Sequence, residues 1–134
     1  VGTIKKDLVE LTSLGKSGAV FEGLQVFPSH SAPGALGVTL HCTEFTCLCP
    51  LTKQPDWADI DILYKPDRMI VETKSVKLYF EQFRNQGVFH EHLAQHICDD
   101  FVATLDPLSL IVTVRFKTRG GIAVDATVMY YKPK

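Results

Sequence analysis

Apolar positions recur along this chain with two different periods. From Val38 to Leu48 the alternation is by twos, which predicts a strand: His41, Thr43, Phe45, Cys47 and Cys49 share one parity, Leu40, Cys42, Thr46 and Leu48 the other. On that reading Cys42 points away from Cys49. Residues 57–64 form a second strand, with Ala58, Ile60, Ile62 and Tyr64 alternating with Asp59, Asp61 and Leu63, so one face is buried and the other is wet or at an interface. Residues 65–68 make a turn and residues 69–72 are extended again. The period then changes. Val76, Tyr79, Phe80 and Phe83 fall at helical spacing, with Gly87 as the stop, and a second helix runs from His90 to Leu105 on the stripe Ala94, Ile97, Cys98, Phe101, Val102 and Leu105 until Asp106-Pro107 ends it. Residues 110–116 and 122–131 are two more strands, joined as a hairpin through Lys117-Thr118-Arg119-Gly120-Gly121. Residues 1–37 are weakly patterned, with a loop at residues 29–34.

Two strands, two helices and two strands predict an α+β fold: an antiparallel sheet with two helices, antiparallel to each other because their connection is short, packed on one face. The 134 residues suit one domain, 1–134, with one core. Composition then narrows the classes. A formal net charge of −1 gives no electrostatic footprint for a polyanion, so direct nucleic-acid binding is not expected. No apolar run approaches the ~20 residues that span a membrane, and the start, Val1 to Asp7, lacks the apolar core of a signal peptide. The four cysteines form no regular framework, which favours reduced thiols in a cytoplasmic protein.

Candidate chemistry concentrates in Phe45 to Asp56. Pro50 and Pro55 stop the first strand, so Cys49 lies at a strand end and Asp56 just past a short loop. A thiol and a carboxylate at the ends of one bent segment make a nucleophile and proton-donor pair; the alternative is a small buried Cys and a turn Asp. Lys74 and Lys77 share a helix face and Arg119 lies in a Gly-rich hairpin, a set able to grip phosphates or simply to be solvated. Glu91 opens the second helix, where it complements the dipole or accepts paired hydrogen bonds from a guanine-type edge. His92 and His96 share a helix face, but no Cys-x-x-Cys pair accompanies them, so no metal is expected.

Together these residues resemble the QueF family of NADPH-dependent nitrile reductases in its short, single-module form. The resemblance rests on Leu48-Cys49-Pro50 with Thr52 and Gln54-Pro55-Asp56, on residues 72–79 (Glu-Thr-Lys-Ser-Val-Lys-Leu-Tyr), and on Phe83-Arg84-Asn85, Phe89-His90-Glu91 and Arg119-Gly120-Gly121-Ile122, in the family's order. It implies the tunnelling fold (T-fold), with subunits forming a ring, two stacked pentamers as the homo-oligomer, and sites between subunits. It implies reduction of the nitrile of 7-cyano-7-deazaguanine to the 7-aminomethyl compound, in queuosine (tRNA modification) biosynthesis, through a Cys49 thioimide with two NADPH used in turn. The carried-over roles are Cys49 as nucleophile, Asp56 as proton donor, His90 as second proton donor, Val71, Glu72, Thr73, His90 and Glu91 at the substrate, and Lys74, Lys77 and Arg119 at NADPH. Two positions depart from the family: Thr73 replaces Ser or Leu, and Lys53 replaces a Gly that would suit a positive backbone angle. The rival readings are a QueF-like amidinotransferase of archaeosine synthesis, which lacks the NADPH block, a zinc-dependent GTP cyclohydrolase-like enzyme of the same fold, and a non-catalytic ring-forming module.

Overall fold

Among residues 21–134, which the computed structural model describes, the expected order of elements is present with one addition. The elements are β1 (Val26–Pro28), β2 (Val38–Leu48), β3 (Pro55–Lys65), β4 (Met69–Val71), α1 (Thr73–Glu81), α2 (His90–Leu105), β5 (Ser109–Phe116) and β6 (Asp125–Tyr131), and a 3-10 turn, Gln82–Asn85, extends α1. The main sheet is antiparallel in the order β2-β3-β5-β6. The addition is β1, which pairs with β4 as a separate two-stranded sheet; it is too short for periodicity to reveal.

The even row of β3 (Ala58, Ile60, Ile62, Tyr64) and that of β5 (Leu110, Val112, Val114, Phe116) are buried, and they meet Val76, Tyr79 and Phe80 of α1 and Leu93, Ile97 and Phe101 of α2 in one core. Both helices therefore cover one face of the sheet. Tyr79 packs on Phe101 at 5.5 Å and donates to Asp100 at 2.6 Å, while Phe83 meets His96 at 5.8 Å. Contacts that run forward along α1 and backward along α2 make the pair antiparallel.

One expectation needs correction. The parity of β2 does not hold through its length, because the register with β3 shifts between Cys42 and Phe45. A bulge there turns the chain over. Leu40 and Cys42 face the core before it, Phe45 and Cys47 face the core after it, and His41 lies on the outer face against Asp61. Cys42 thus shares the inward face with Cys47. Two boundaries also move. The first helix gives way to the 3-10 turn before Gly87, and β6 begins at Asp125 because Arg119 and Ile122 close a two-residue turn over Gly120 (φ 58°) and Gly121 (φ 79°).

The hairpin between β2 and β3 sets the local geometry of the site. Cys49 N–H donates to the Gln54 carbonyl at 2.8 Å, and Lys53 N–H donates to the Cys49 carbonyl at 3.0 Å. This closure puts Lys53 at φ 60°, in the left-handed region. Gly87 packs against the same loop: a Cβ there would stand 3.0 Å from Pro50 Cα. Leu48 N–H donates to the Gln86 carbonyl (2.9 Å) and Val88 N–H to the Leu48 carbonyl (3.0 Å), which binds the entry of α2 to the end of β2.

Two stability outcomes follow. A Cβ in the left-handed region costs about 1–2 kcal/mol, of which glycine's extra unfolded-state freedom returns part. Lys53→Gly should therefore raise the unfolding free energy by about 0.5–1 kcal/mol in a denaturant titration; a loss of stability would show that the lysine side chain holds the loop. Tyr64 is buried and its hydroxyl accepts from Val71 N–H at 3.0 Å, tying β3 to β4. Tyr64→Phe orphans that amide and should cost about 1–3 kcal/mol in the same titration; an unchanged midpoint would mean that β4 finds another partner.

Candidate active site

Asp56 heads the inward row of β3 and is 2% exposed, a carboxylate at the rim of an apolar core. Such a group needs partners for both oxygens. Arg119, from the tip of the β5–β6 hairpin, donates through Nη1 to Oδ1, and its Nη2 reaches Gln54 Oε1 at 3.3 Å. His90, the first residue of α2, brings Nε2 to 3.0 Å from Oδ2. The Thr46 hydroxyl donates to the Asp56 backbone carbonyl at 2.9 Å. Two distant segments thus converge on one carboxylate and a third holds its backbone, and among the described residues no buried side-chain nitrogen or oxygen lacks a partner.

Cys49 lies at the other end of the loop, half-exposed. The Thr52 hydroxyl, then the backbone N–H groups of Thr52 and Leu51, hold its thiol below the ordinary value, against weaker opposition from burial and the Asp56 charge. Donors folded back on one sulfur favour the thiolate, the reactive form. The other cysteines go the opposite way. Burial, with the charges of Asp56 and Cys49, pushes Cys47 up to about 11, and burial also raises Cys42 and Cys98. Only Cys49 of the four combines access with a favoured thiolate.

The remaining expected site residues divide. Glu91 is exposed on the first turn of α2, beside His90. Val71, Glu72, Thr73, Lys74 and Lys77 lie around the start of α1. Glu72 is the N-cap of that helix: its carboxylate accepts from Lys74 N–H (2.8 Å) and Ser75 N–H (2.6 Å), its own amide donates to the Gln25 carbonyl (2.8 Å), and its carbonyl accepts from the Ser75 hydroxyl (2.7 Å). Val71 is buried and spends its amide on Tyr64. Thr73 and Lys77 line a cavity of about 380 Å³ between α1 and β2, with Phe45, Phe80 and Arg84 also on its wall. Lys74 is exposed nearby. Arg119, expected with the two lysines, is instead engaged with Asp56. His92 packs edge-on against Phe89 at 5.9 Å and His96 lies 3.2 Å from Asp100, and among the described residues no three His, Cys, Asp or Glu side chains are grouped to hold a metal.

Sequence reasoning missed Thr52, Gln54, Ser75 and Arg84 as participants. The first had a readable signal, since a hydroxyl residue three positions after a turn-initiating Cys can bond back across the turn. Arg84 follows Lys77 by two helical turns and so shares its face. Gln54 and Ser75 carried no signal beyond their polarity.

The chain matches the family model described as QueF-like protein over residues 55–134. It is 44% identical over 131 residues to the NADPH-dependent 7-cyano-7-deazaguanine reductase of Syntrophus aciditrophicus (strain SB), covering 98% of this chain and 94% of that one. It is 50% identical over 121 residues to the protein of the same name from Frankia casuarinae, covering 90% and 95%. These alignments reach upstream of the family-model match. The crystal structure of the archaeosine synthase QueF-Like in the apo form superposes with a TM-score of 0.67 over 74% of this chain and 95% of that one; at 22% identity it shows the fold alone. With the family model spanning more than half of the sequence and relatives of this identity spanning nearly all of it, this chain belongs to the QueF-like protein family.

Proposed function

We infer that this chain is an NADPH-dependent 7-cyano-7-deazaguanine reductase of queuosine biosynthesis, working as one domain. The relatives that align over most of its length carry that name. The observation that carries the reading is Cys49, the accessible cysteine with a favoured thiolate, at one end of a loop whose other end is the buried Asp56.

The proposed chemistry begins with attack of the Cys49 thiolate on the nitrile carbon. The C–S bond forms as the nitrile π pair moves to nitrogen, and Asp56 supplies the proton that nitrogen takes, giving a thioimide on Cys49. A nitrile resists hydride, and a thioimide accepts it more readily, so covalent attachment divides a hard step into easier ones. NADPH, when bound, supplies hydride, one from each of two molecules used in turn. Cys49 departs as thiolate once the carbon has taken its first hydride, and is regenerated unchanged. Overall, one nitrile takes up two hydrides and two protons and becomes an aminomethyl group. His90, against Asp56, can renew the proton that Asp56 gives up. Glu91 accepts from the amide N–H and amino group of the deazaguanine edge.

Lys77 and Arg84 bring two cations to a cavity that Glu44 and Glu81 also line, and the exposed Lys74 adds a third cation nearby, so these three side chains are the ones that would hold the cofactor's phosphates. Arg119, the remaining member of the expected NADPH set, serves Asp56 first. Among the described residues no hydrogen bond joins residues 71–77 to Cys49, Asp56 or His90, which agrees with sites built between subunits, with Val71, Glu72 and Thr73 of one copy completing the substrate wall of the next. Edges of β2 and β6 without a partner strand among the described residues, and the exposed outer-face residues Trp57, Met129 and Tyr131, support closure into a ring, read here as two stacked pentamers. Among the described residues no helix is long and apolar enough to cross a membrane, and a cytoplasmic setting agrees with four reduced thiols.

The deciding experiment follows NADPH absorbance with purified protein and 7-cyano-7-deazaguanine. Two NADPH should be oxidised per nitrile, and Cys49→Ala should reduce the rate to background. No oxidation by folded, reduced wild-type protein would remove the reductase reading, and a nitrile adduct on Cys49 would then favour the amidinotransferase. A second test concerns the thiolate. The Thr52 hydroxyl favours the charged sulfur, so Thr52→Val should move the pH midpoint of Cys49 alkylation upward and slow alkylation at neutral pH. A midpoint that stays or falls would remove Thr52 from this role.

A further inference from the structure

We propose that Phe116 is a positioning residue for proton delivery, its ring fixing the His90 imidazole against Asp56. The inference rests on the reductase reading for its chemistry, but its geometry stands apart from it. The two rings lie face to face, with centroids 3.7 Å apart and planes 10° from parallel. The same imidazole presents Nε2 to Asp56 Oδ2 at 3.0 Å. One contact sets the plane of the ring and the other sets the direction in which its nitrogen points.

Little else holds His90. It is the first residue of α2, its side chain is 23% exposed, and the N-cap, Phe89, contributes no side-chain hydrogen bond. Helix starts of this kind leave their first amides without partners inside the helix. Phe116, in contrast, is rigidly set. It is 4% exposed, closes the inward row of β5 opposite the small Ala58, and donates its amide to the Val124 carbonyl at 3.0 Å. Lys117 N–H, the next along the chain, donates to the Trp57 carbonyl at 2.9 Å. The sheet therefore supplies a fixed shelf, and the first residue of the helix rests its imidazole on it.

The reaction makes such a shelf useful. Two protons enter for each nitrile reduced, and Asp56 holds one at a time. Its carboxylate has two side-chain neighbours, Arg119 and His90. A guanidinium keeps its proton throughout the working range, so renewal from a side chain falls to His90. Water recharges the imidazole, the imidazole recharges Asp56, and Asp56 delivers to the substrate nitrogen. The aromatic face of Phe116 suits both forms of the relay, stacking on neutral imidazole and attracting imidazolium. A ring that turned to solvent would break the chain of transfer without touching Cys49.

The test compares Phe116→Leu and Phe116→Tyr with wild type. Leucine keeps apolar bulk and loses the flat face, whereas tyrosine keeps the face. Phe116→Leu should lower kcat about tenfold, the factor that the upper end of an aromatic stacking energy carries. KM for the nitrile should change little, and the adduct on Cys49 formed without NADPH should still appear by mass. The solvent deuterium isotope effect on kcat should rise, because proton delivery becomes limiting, and Phe116→Tyr should restore most of the rate. Wild-type kcat in Phe116→Leu, or a fall matched by lost folded protein with an unchanged isotope effect, would overturn the proposal. NMR of ¹³C-histidine-labelled protein gives a readout independent of activity. His90 ring protons should be shifted upfield by the stacked ring in wild type and in Phe116→Tyr, and released in Phe116→Leu. Absence of that shift in wild type would overturn the positioning role even in an active enzyme. A wild-type protein that shows the shift but oxidises no NADPH would keep the stack and remove the reductase reading alone.

Discussion

A buried carboxylate is the constraint on which the rest of the site depends. Asp56 continues the row of Ala58, Ile60, Ile62 and Tyr64 into a place where an apolar residue would pack without help. An ionised group there is tolerated only if the chain brings it charged or hydrogen-bonding neighbours. The fold does so from two sides. The β5–β6 hairpin has a turn tight enough to aim Arg119 back over β3, and α2 begins where its first residue reaches the second oxygen. The cost of burying Asp56 thus specifies the position of two elements far away in sequence.

The same carboxylate helps to explain why the cysteines differ. Cys47 is the cross-strand partner of Asp56, so burial and a nearby negative charge both disfavour its thiolate. Cys49, two residues on, has left the strand, and the turn that follows folds donors onto its sulfur. A strand end, rather than a special residue type, separates a thiol whose thiolate is disfavoured from one whose thiolate is favoured.

Much of this was legible in the sequence where one interaction dominates. The alternation of β3 and β5 and the stripe of α2 reflect burial alone, and their bounds were read almost to the residue. The Gly that the family pattern favours at position 53 anticipated a left-handed backbone, and Lys53 adopts that conformation despite its Cβ. Failures came where two interactions compete. The alternation of β2 looked continuous because the bulge near Thr43 and Glu44 replaces one polar residue by another in the pattern while turning the strand over. Gly87 read as a helix stop, yet its closest neighbour is Pro50, a contact no local pattern encodes. The capping role of Glu72 did not show either: a carboxylate before a helix start is drawn to the free amides of the first turn, whatever else it serves. The contact of Arg119 with Asp56 was not legible because charge shows in a sequence and a buried partner does not.

The bridge between Leu48 and Gly87 has a mechanical meaning. Cys49 follows Leu48 directly, and His90 is three residues beyond Gly87, so a clamp of two hydrogen bonds and one glycine contact stands between them. The loop bearing Cys49 and the helix start bearing the His90 imidazole are held together by it. Breathing of the sheet or sliding of α2 would carry both together, and the spacing between sulfur and imidazole would be insulated from motions that alter the rest of the subunit. Leu48 is also paired with Pro55, and Cys47 with Asp56, so the same clamp anchors the helix start to the strand pair that carries the carboxylate, and sulfur, imidazole and carboxylate share one frame.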